Sequence, residues 1–285
     1  MIQKTVDLYA HFGYPKQEGA VGKLVYQSAC ELALEELMTN KKRKRPAVLV
    51  IPGGGYGFNS EREAEPIAMH FMMRGYAAFT VYYACAPLGF PVALREAAMA
   101  MRYIRENAEE FNVDPDMVAA VGFSAGGHLC GTLGTMFDCP EVEDIGEPAV
   151  IRPSALGLCY PVLVEWGRTH QGTFNNVSMG DPELRKRLSL EKQVRPDMPP
   201  VFLWHTRTDA TVPCRNSIIM AEALEEAGVD FVLHIYREGR HGGATVDLCT
   251  YSTRDLPTFS RNVKNWLPDM MDFFEDVGFR IVDTP

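Results

Sequence analysis

The sequence predicts an α/β fold: a mostly parallel central sheet with helices on both faces. Three observations predict it. Short apolar runs recur at 47–51, 77–82, 118–121, 155–160, 201–204 and 231–236. They are continuous rather than alternating, which is what strands covered on both faces require. Helical periodicity separates several of these runs, so strands and helices take turns along the chain. Glycine-rich stretches follow two of the runs directly, PGGGYG at 52–57 and GFSAGG at 122–127.

Taken in order, the segment 30–37 fits either period and is read as an N-terminal strand. A helix is expected over about 92–110, where Leu94, Ala97, Ala98, Met101, Ile104 and Ala108 share one face and Arg and Glu fill the other. It ends before the turn signal of Asn112, Asp114 and Pro115. Another helix should open near Ser124. Between 161 and 200 the pattern is weak. This stretch reads as an insertion or cap in a single domain over 1–285, either roofing a site or making a plain surface excursion. A helix over 216–227 is stopped by Gly228. Trp266, Met270, Met271 and Phe274 share the face of a C-terminal helix, with Pro268 near its start.

Composition narrows the function classes. Of the 285 residues, 46% are hydrophobic and 23% charged, enough to build a core. The net charge of −9 argues against a nucleic-acid or anionic-membrane surface. The basic run KKRKR at 41–45 reads as a solvated loop. The stretch 75–94 is uncharged, but Pro87, Gly89 and Pro91 interrupt it, so a strand and loop fit better than a membrane span. The first residues carry no apolar leader core. Seven cysteines, an odd number without a CxxC, fit free thiols in a reducing compartment. The expectation is a cytoplasmic protein without a metal site.

GFSAGG places one serine among small residues directly after an apolar run. G-x-S-x-G of this kind holds a nucleophile at the tip of a tight strand-to-helix turn; the plainer reading is a turn that merely needs glycine torsions. A serine hydroxyl is a weak nucleophile, so the sharper reading demands a base, an acid to orient it and donors for an oxyanion. IPGGGYG supplies the donors: adjacent glycines let the N–H groups of Gly54 and Gly55 face one point, joined by that of Ala125. A phosphate loop is disfavoured, since no GK[ST] follows and position 58 is Phe. The acid is Asp209, in the loop after the run 201–204. The base is His241, in a glycine-rich loop beyond the run 231–236. His234 lies inside that run, His205 at a strand end is the weaker rival, and His128 reads as packing. His11, His70 and His170 have no supporting context. The chain order Ser, Asp, His is one that such sites use.

RPAVLVIPGGGYGFNSEREAEPIAMHFMMRGYAAF (45–79), GFSAGGHLCGTLG (122–134), PPVFLWHTRTDATVPCRNSIIMAEALEEAGVDFVLHIY (199–236) and GRHGG (239–243) carry a resemblance. The chain resembles the α/β-hydrolase esterases, and within them the bifunctional feruloyl and acetyl-xylan esterases. The resemblance implies an α/β-hydrolase fold, no metal and no organic cofactor, with Ser124 as nucleophile, Asp209 as acid and His241 as base. It implies a short-chain carboxylesterase acting on a small ester such as an acetylated xylo-oligosaccharide. Arg207 and Thr208 depart from the family pattern and alter the pocket rim. Tyr56, Ser60, Arg62 and Trp166 are candidate substrate contacts. Glu63 and Glu65 read as the polar first turn of a helix. Amide hydrolysis by the same triad, of peptidase or formamidase type, and an idle hydrolase-fold binding module are the other readings. The oligomeric state is left open.

Overall fold

The computed structural model describes residues 2–28 and 43–283. The predicted strand at 30–37 lies outside them. The chain opens with β1 (Ile2–Asp7), α1 (Leu8–Phe12), β2 (Lys23–Ser28) and β3 (Arg43–Ile51). Next come α2 (Glu65–Met72), β4 (Ala77–Tyr82), α3 (Val92–Glu106), β5 (Val113–Phe123) and α4 (Ala125–Thr135). After α5 (Pro148–Ile151) and β6 (Ala155–Cys159) lie α6 (Gln171–Ser178) and α7 (Pro182–Arg187). Then β7 (Val201–Thr206), α8 (Arg215–Ala227), β8 (Phe231–Tyr236), α9 (Trp266–Asp276) and the short β9 (Val282–Asp283) complete it.

The strands form one sheet in the order β1-β2-β4-β3-β5-β6-β7-β8, with β9 antiparallel to the start of β3. Pairing is parallel from β4 through β8, while β1–β2 and β2–β4 are antiparallel. The central strands are apolar throughout because both faces are covered. Along β3, Ala47, Leu49 and Ile51 pack in one layer with α3 and α4. Val48 and Val50 pack in the other with Phe71 of α2 and Trp266 of α9. The period of two assigns alternate residues to opposite cores.

Two differences from the expectation have physical causes. The strand β1 carries the polar sequence IQKTVD and is largely exposed. It is held by pairing with β2 rather than by apolar burial, so it shows no apolar run. The strand β5 begins at Val113, before Asp114 and Pro115, where a turn was expected. Its register against β3 jumps from Arg45–Val113 to Ala47–Val118. The extra residues form a bulge, which accommodates a proline that has no N–H for the ladder.

Candidate active site

The turn after β5 places Ser124 at φ 54°, ψ −116°. That positive φ costs a residue with a Cβ about 1–3 kcal/mol unless its surroundings fix it. Here they do: Ser124 N–H donates to Cys159 O at 2.9 Å, and its carbonyl accepts from His128 N and Val162 N, both at 3.1 Å. The small neighbours make the turn feasible. A Cβ on Gly122 would stand 2.1 Å from Gly126 O, and one on Gly126 only 2.2 Å from Ile51 O. The first turn of α4 therefore sits directly against the ends of β3 and β5.

Three distant segments meet at this turn. Ser124 Oγ lies 2.7 Å from His241 Nε2, and His241 Nδ1 lies 2.6 Å from Asp209 Oδ2. The other Asp209 oxygen accepts the N–H groups of Thr211 and Val212, each at 2.9 Å, so the carboxylate is fixed from both sides. Burial pushes the Asp209 carboxyl up, but hydrogen bonds from His205 and His241 outweigh it and hold the group well below the usual carboxylate range. The imidazole of His241 rests edge-on against the Tyr160 ring, with centroids 5.2 Å apart. His205 does not reach the serine. It is buried, with Nε2 2.8 Å from Val212 O and 3.4 Å from Asp209 Oδ2, and Nδ1 2.9 Å from Ser217 Oγ.

A cavity of about 240 Å³ opens over Ser124 and His241 and is also lined by Gly54, Gly55, Ser60 and Arg62. The backbone after β3 turns at Gly54 (φ 125°) and Gly55 (φ 64°). Their N–H groups meet no acceptor among the described residues. Ala125 is the first residue of α4, so its N–H has no acceptor within the helix. Gly53, by contrast, is an anchor: its N–H donates to Glu63 Oε2 at 3.0 Å.

Four sequence expectations need correction. Tyr56 does not line the cavity over Ser124: the residue is 2% exposed and its hydroxyl lies 2.9 Å from His128 Nδ1. Burial in turn holds the His128 imidazole down to about 4, so it stays neutral there. Trp166 also stands off the site; it is 45% exposed and donates to Glu191 at 2.8 Å on the outer surface. Glu63 is no solvated helix-start acid. It is buried, lines the cavity, and accepts from Tyr160 Oη at 2.7 Å as well as from Gly53. Nothing in SEREAE separates it from Glu61 or Glu65; the single helical turn at Glu61–Glu63 does. His170, which had no context in the sequence, also lines the cavity. Burial, then the neighbouring His241, lowers its pKa.

The stretch 161–200 supplies that wall. Asn176 Nδ2, on α6, donates to Gly55 O at 2.8 Å, so the segment supports the glycine turn from outside. Away from the cavity, the donor atoms of His70, Asp247 and Cys249 lie within 4.8 Å of one another, a spacing that a metal ion could bridge. His70 and Asp247 already satisfy each other at 3.0 Å.

Comparison with known proteins agrees with this architecture. The BD-FAE family model matches residues 36–150, and the prolyl oligopeptidase family model matches 163–266. The solved acetyl ester-xyloside bifunctional hydrolase of Caldicellulosiruptor lactoaceticus is 34% identical, with a TM-score of 0.76 over 90% of this chain and 88% of that one. The endo-1,4-beta-xylanase B of Butyrivibrio fibrisolvens is 37% identical over 71% of this chain. The acetylxylan esterase of Xylanibacter ruminicola is 30% identical over 69%. The chain spans 33% and 40% of the lengths of those two curated relatives.

Proposed function

Because this chain belongs to the α/β-hydrolase esterases, we propose that it is a serine carboxylesterase removing short acyl groups, chiefly acetyl, from carbohydrates or other small alcohols. The observation that carries this reading is the continuous chain Ser124–His241–Asp209, at 2.7 and 2.6 Å, opening into a cavity that the turn at Gly54 and Gly55 also lines.

In this reading Ser124 Oγ attacks the ester carbonyl while His241 Nε2 takes its proton. The carboxylate of Asp209 fixes the tautomer with Nδ1–H toward itself and steadies the imidazolium that forms. Negative charge on the carbonyl oxygen is met by the N–H groups of Gly54, Gly55 and Ala125; each such donor contributes about 2.7–4 kcal/mol to transition-state stabilisation. His241 then protonates the leaving alcohol. Water then attacks the acyl carbonyl as His241 takes its proton, the bond to Ser124 Oγ breaks, and His241 returns the proton to Oγ, so the acid leaves and the serine is restored. The small cavity favours a short acyl group. The names of the xylan-related relatives support a carbohydrate alcohol. The chain acts as one catalytic domain in which 161–200 forms a wall of the site.

Among the described residues no helix is long and apolar enough to cross a membrane. The six described cysteines are free, which supports a reducing, cytoplasmic setting.

The test is hydrolysis of p-nitrophenyl esters from acetate to octanoate beside acetylated xylo-oligosaccharides. Activity should be greatest on acetate, and Ser124→Ala should lower kcat by about 10⁴–10⁶-fold in a folded protein. Near-normal turnover by that variant would remove the mechanism. The prolyl oligopeptidase match gives amide hydrolysis a specific claim as second reading; kcat/KM on matched acetyl esters and amides separates the two.

A further inference from the structure

Two guanidinium groups pack on the ring of Tyr251, and they differ in their partners. Arg240 lies 4.8 Å from the ring centroid and has Asp255 at 3.7 Å. Arg62 lies 5.3 Å from the same centroid and, among the described residues, has no carboxylate within ion-pair distance. Arg62 lines the cavity over Ser124, whereas Arg240 does not. The ring that carries both is itself fixed: Tyr251 is buried, and its hydroxyl donates to the carbonyl of Gly242. Arg62 thus presents its charge from a rigid support, so less side-chain freedom is lost when it takes a partner. The nearby acid, Glu63, is already engaged at both oxygens by Gly53 N–H and Tyr160 O–H.

We infer that Arg62 forms a carboxylate-binding subsite of the catalytic cavity, and that the preferred substrate is an ester whose alcohol half carries an acid group, as an acetylated sugar acid does. The inference rests on the serine esterase reading, which also selects the half of the ester. The leaving alcohol takes its proton from His241, so it must depart on the imidazole side. Arg62 is on that side: a Cβ on Gly242, the residue after His241, would lie 3.4 Å from Arg62 Nη2. The acyl oxygen faces the other way, toward Gly54 and Gly55. A planar guanidinium can hold a carboxylate through two parallel hydrogen bonds, and because Arg62 is exposed at the cavity mouth the pair stays open to screening by salt.

The experiment compares 4-acetoxybenzoate with 4-acetoxybenzamide, which have the same shape and differ in charge. Each rate is corrected for the ester's own lability to hydroxide. The wild-type chain should favour the acid ester about tenfold in kcat/KM, mainly through KM. Arg62→Gln should bring the ratio near one, Arg62→Lys should fall between, and 0.5 M NaCl should shrink the wild-type ratio. Inhibition of the wild type by 4-hydroxybenzoate should be correspondingly tighter than by 4-hydroxybenzamide, a readout that needs no variant. A wild-type ratio near one, or one that survives Arg62→Gln, overturns the subsite and leaves the esterase reading intact. Turnover of neither ester, with no effect of Ser124→Ala on any substrate, overturns both.

Discussion

Glu63 and Gly53 are joined by a buried hydrogen bond, in which the carboxylate accepts the backbone N–H at 3.0 Å. The same carboxylate accepts Tyr160 Oη at 2.7 Å, and Tyr160 Oη accepts the N–H of Ala244 at 2.9 Å. One acid therefore ties together the glycine turn, the end of β6 and the loop that carries His241. Removing it leaves a buried N–H and a hydroxyl short of a partner, each costing about 1–3 kcal/mol. Glu63→Ala should lower the melting temperature by several degrees and kcat by about 10–100-fold, since the two loops it joins carry the oxyanion donors and the base. Glu63→Gln, which keeps the shape and one acceptor, should recover part of both. A Glu63→Ala protein with normal kcat would show that the loops hold their positions without it.

The serine turn makes a sharper steric prediction. Gly126→Ala would put a methyl group 2.2 Å from Ile51 O, a backbone atom that cannot rotate away. The start of α4 must then lift from the sheet, at a cost of about 1–3 kcal/mol or more. Gly146→Ala is the control, because its added Cβ meets nothing closer than 3.6 Å. Urea midpoints should fall clearly for the first variant and stay near wild type for the second. Equal midpoints would mean that the turn has slack the structure does not show.

Asp209→Asn tests the orienting acid apart from the fold. The side-chain oxygen that accepts from Thr211 and Val212 can remain, so the loop should keep its shape. The atom facing His241 Nδ1 then loses its charge, and the imidazole is no longer held in the tautomer that accepts from Ser124. A fall in kcat of about 10³–10⁴-fold is expected on p-nitrophenyl acetate, with little change in thermal stability. A fall below tenfold would assign the orientation of His241 to other contacts.

These contrasts also show why some residues were legible in the sequence and others were not. Ser124, Asp209 and His241 sit beyond strand ends, and their neighbours, glycines or a strand followed by a loop, leave a local trace. The central strands were readable for a similar reason: burial on both faces writes a continuous apolar run. The strand β1 left none, because backbone pairing holds it and IQKTVD stays exposed. Glu63 and His170 were hidden for a different reason. Their place in the cavity follows from how two loops lie over the sheet, and residue type alone cannot distinguish Glu63 from Glu61 two positions earlier. Tyr56 failed in the opposite direction. It adjoins the glycine turn in sequence, yet its side chain points down to His128.

The last prediction concerns a carboxyl group far from Ser124 in sequence. Glu96, on α3, is fully buried and accepts from Val21 N at 2.7 Å, Tyr9 Oη at 3.2 Å and Ala84 N at 2.5 Å. Burial pushes its carboxyl up from 4.5 to about 6, although the N–H groups of Ala84 and Val21 pull the other way. Between those two values the folded protein holds a proton that the unfolded chain has released. Folding is therefore favoured below the lower value, and this contribution is lost as pH rises through the upper one. The rise corresponds to about 2 kcal/mol. Glu96→Gln carries no titrating group, so the difference in unfolding free energy between wild type and variant isolates this residue from every other acid. Urea titrations at about pH 4.5 and 6.5 should show the wild type losing about 1.5 kcal/mol relative to Glu96→Gln, most of the full effect, because the unfolded and folded carboxyls are each partly titrated at the ends of that interval. Parallel profiles would place the Glu96 carboxyl at its ordinary value, and a wild type that gained on the variant would reverse the sign of the argument.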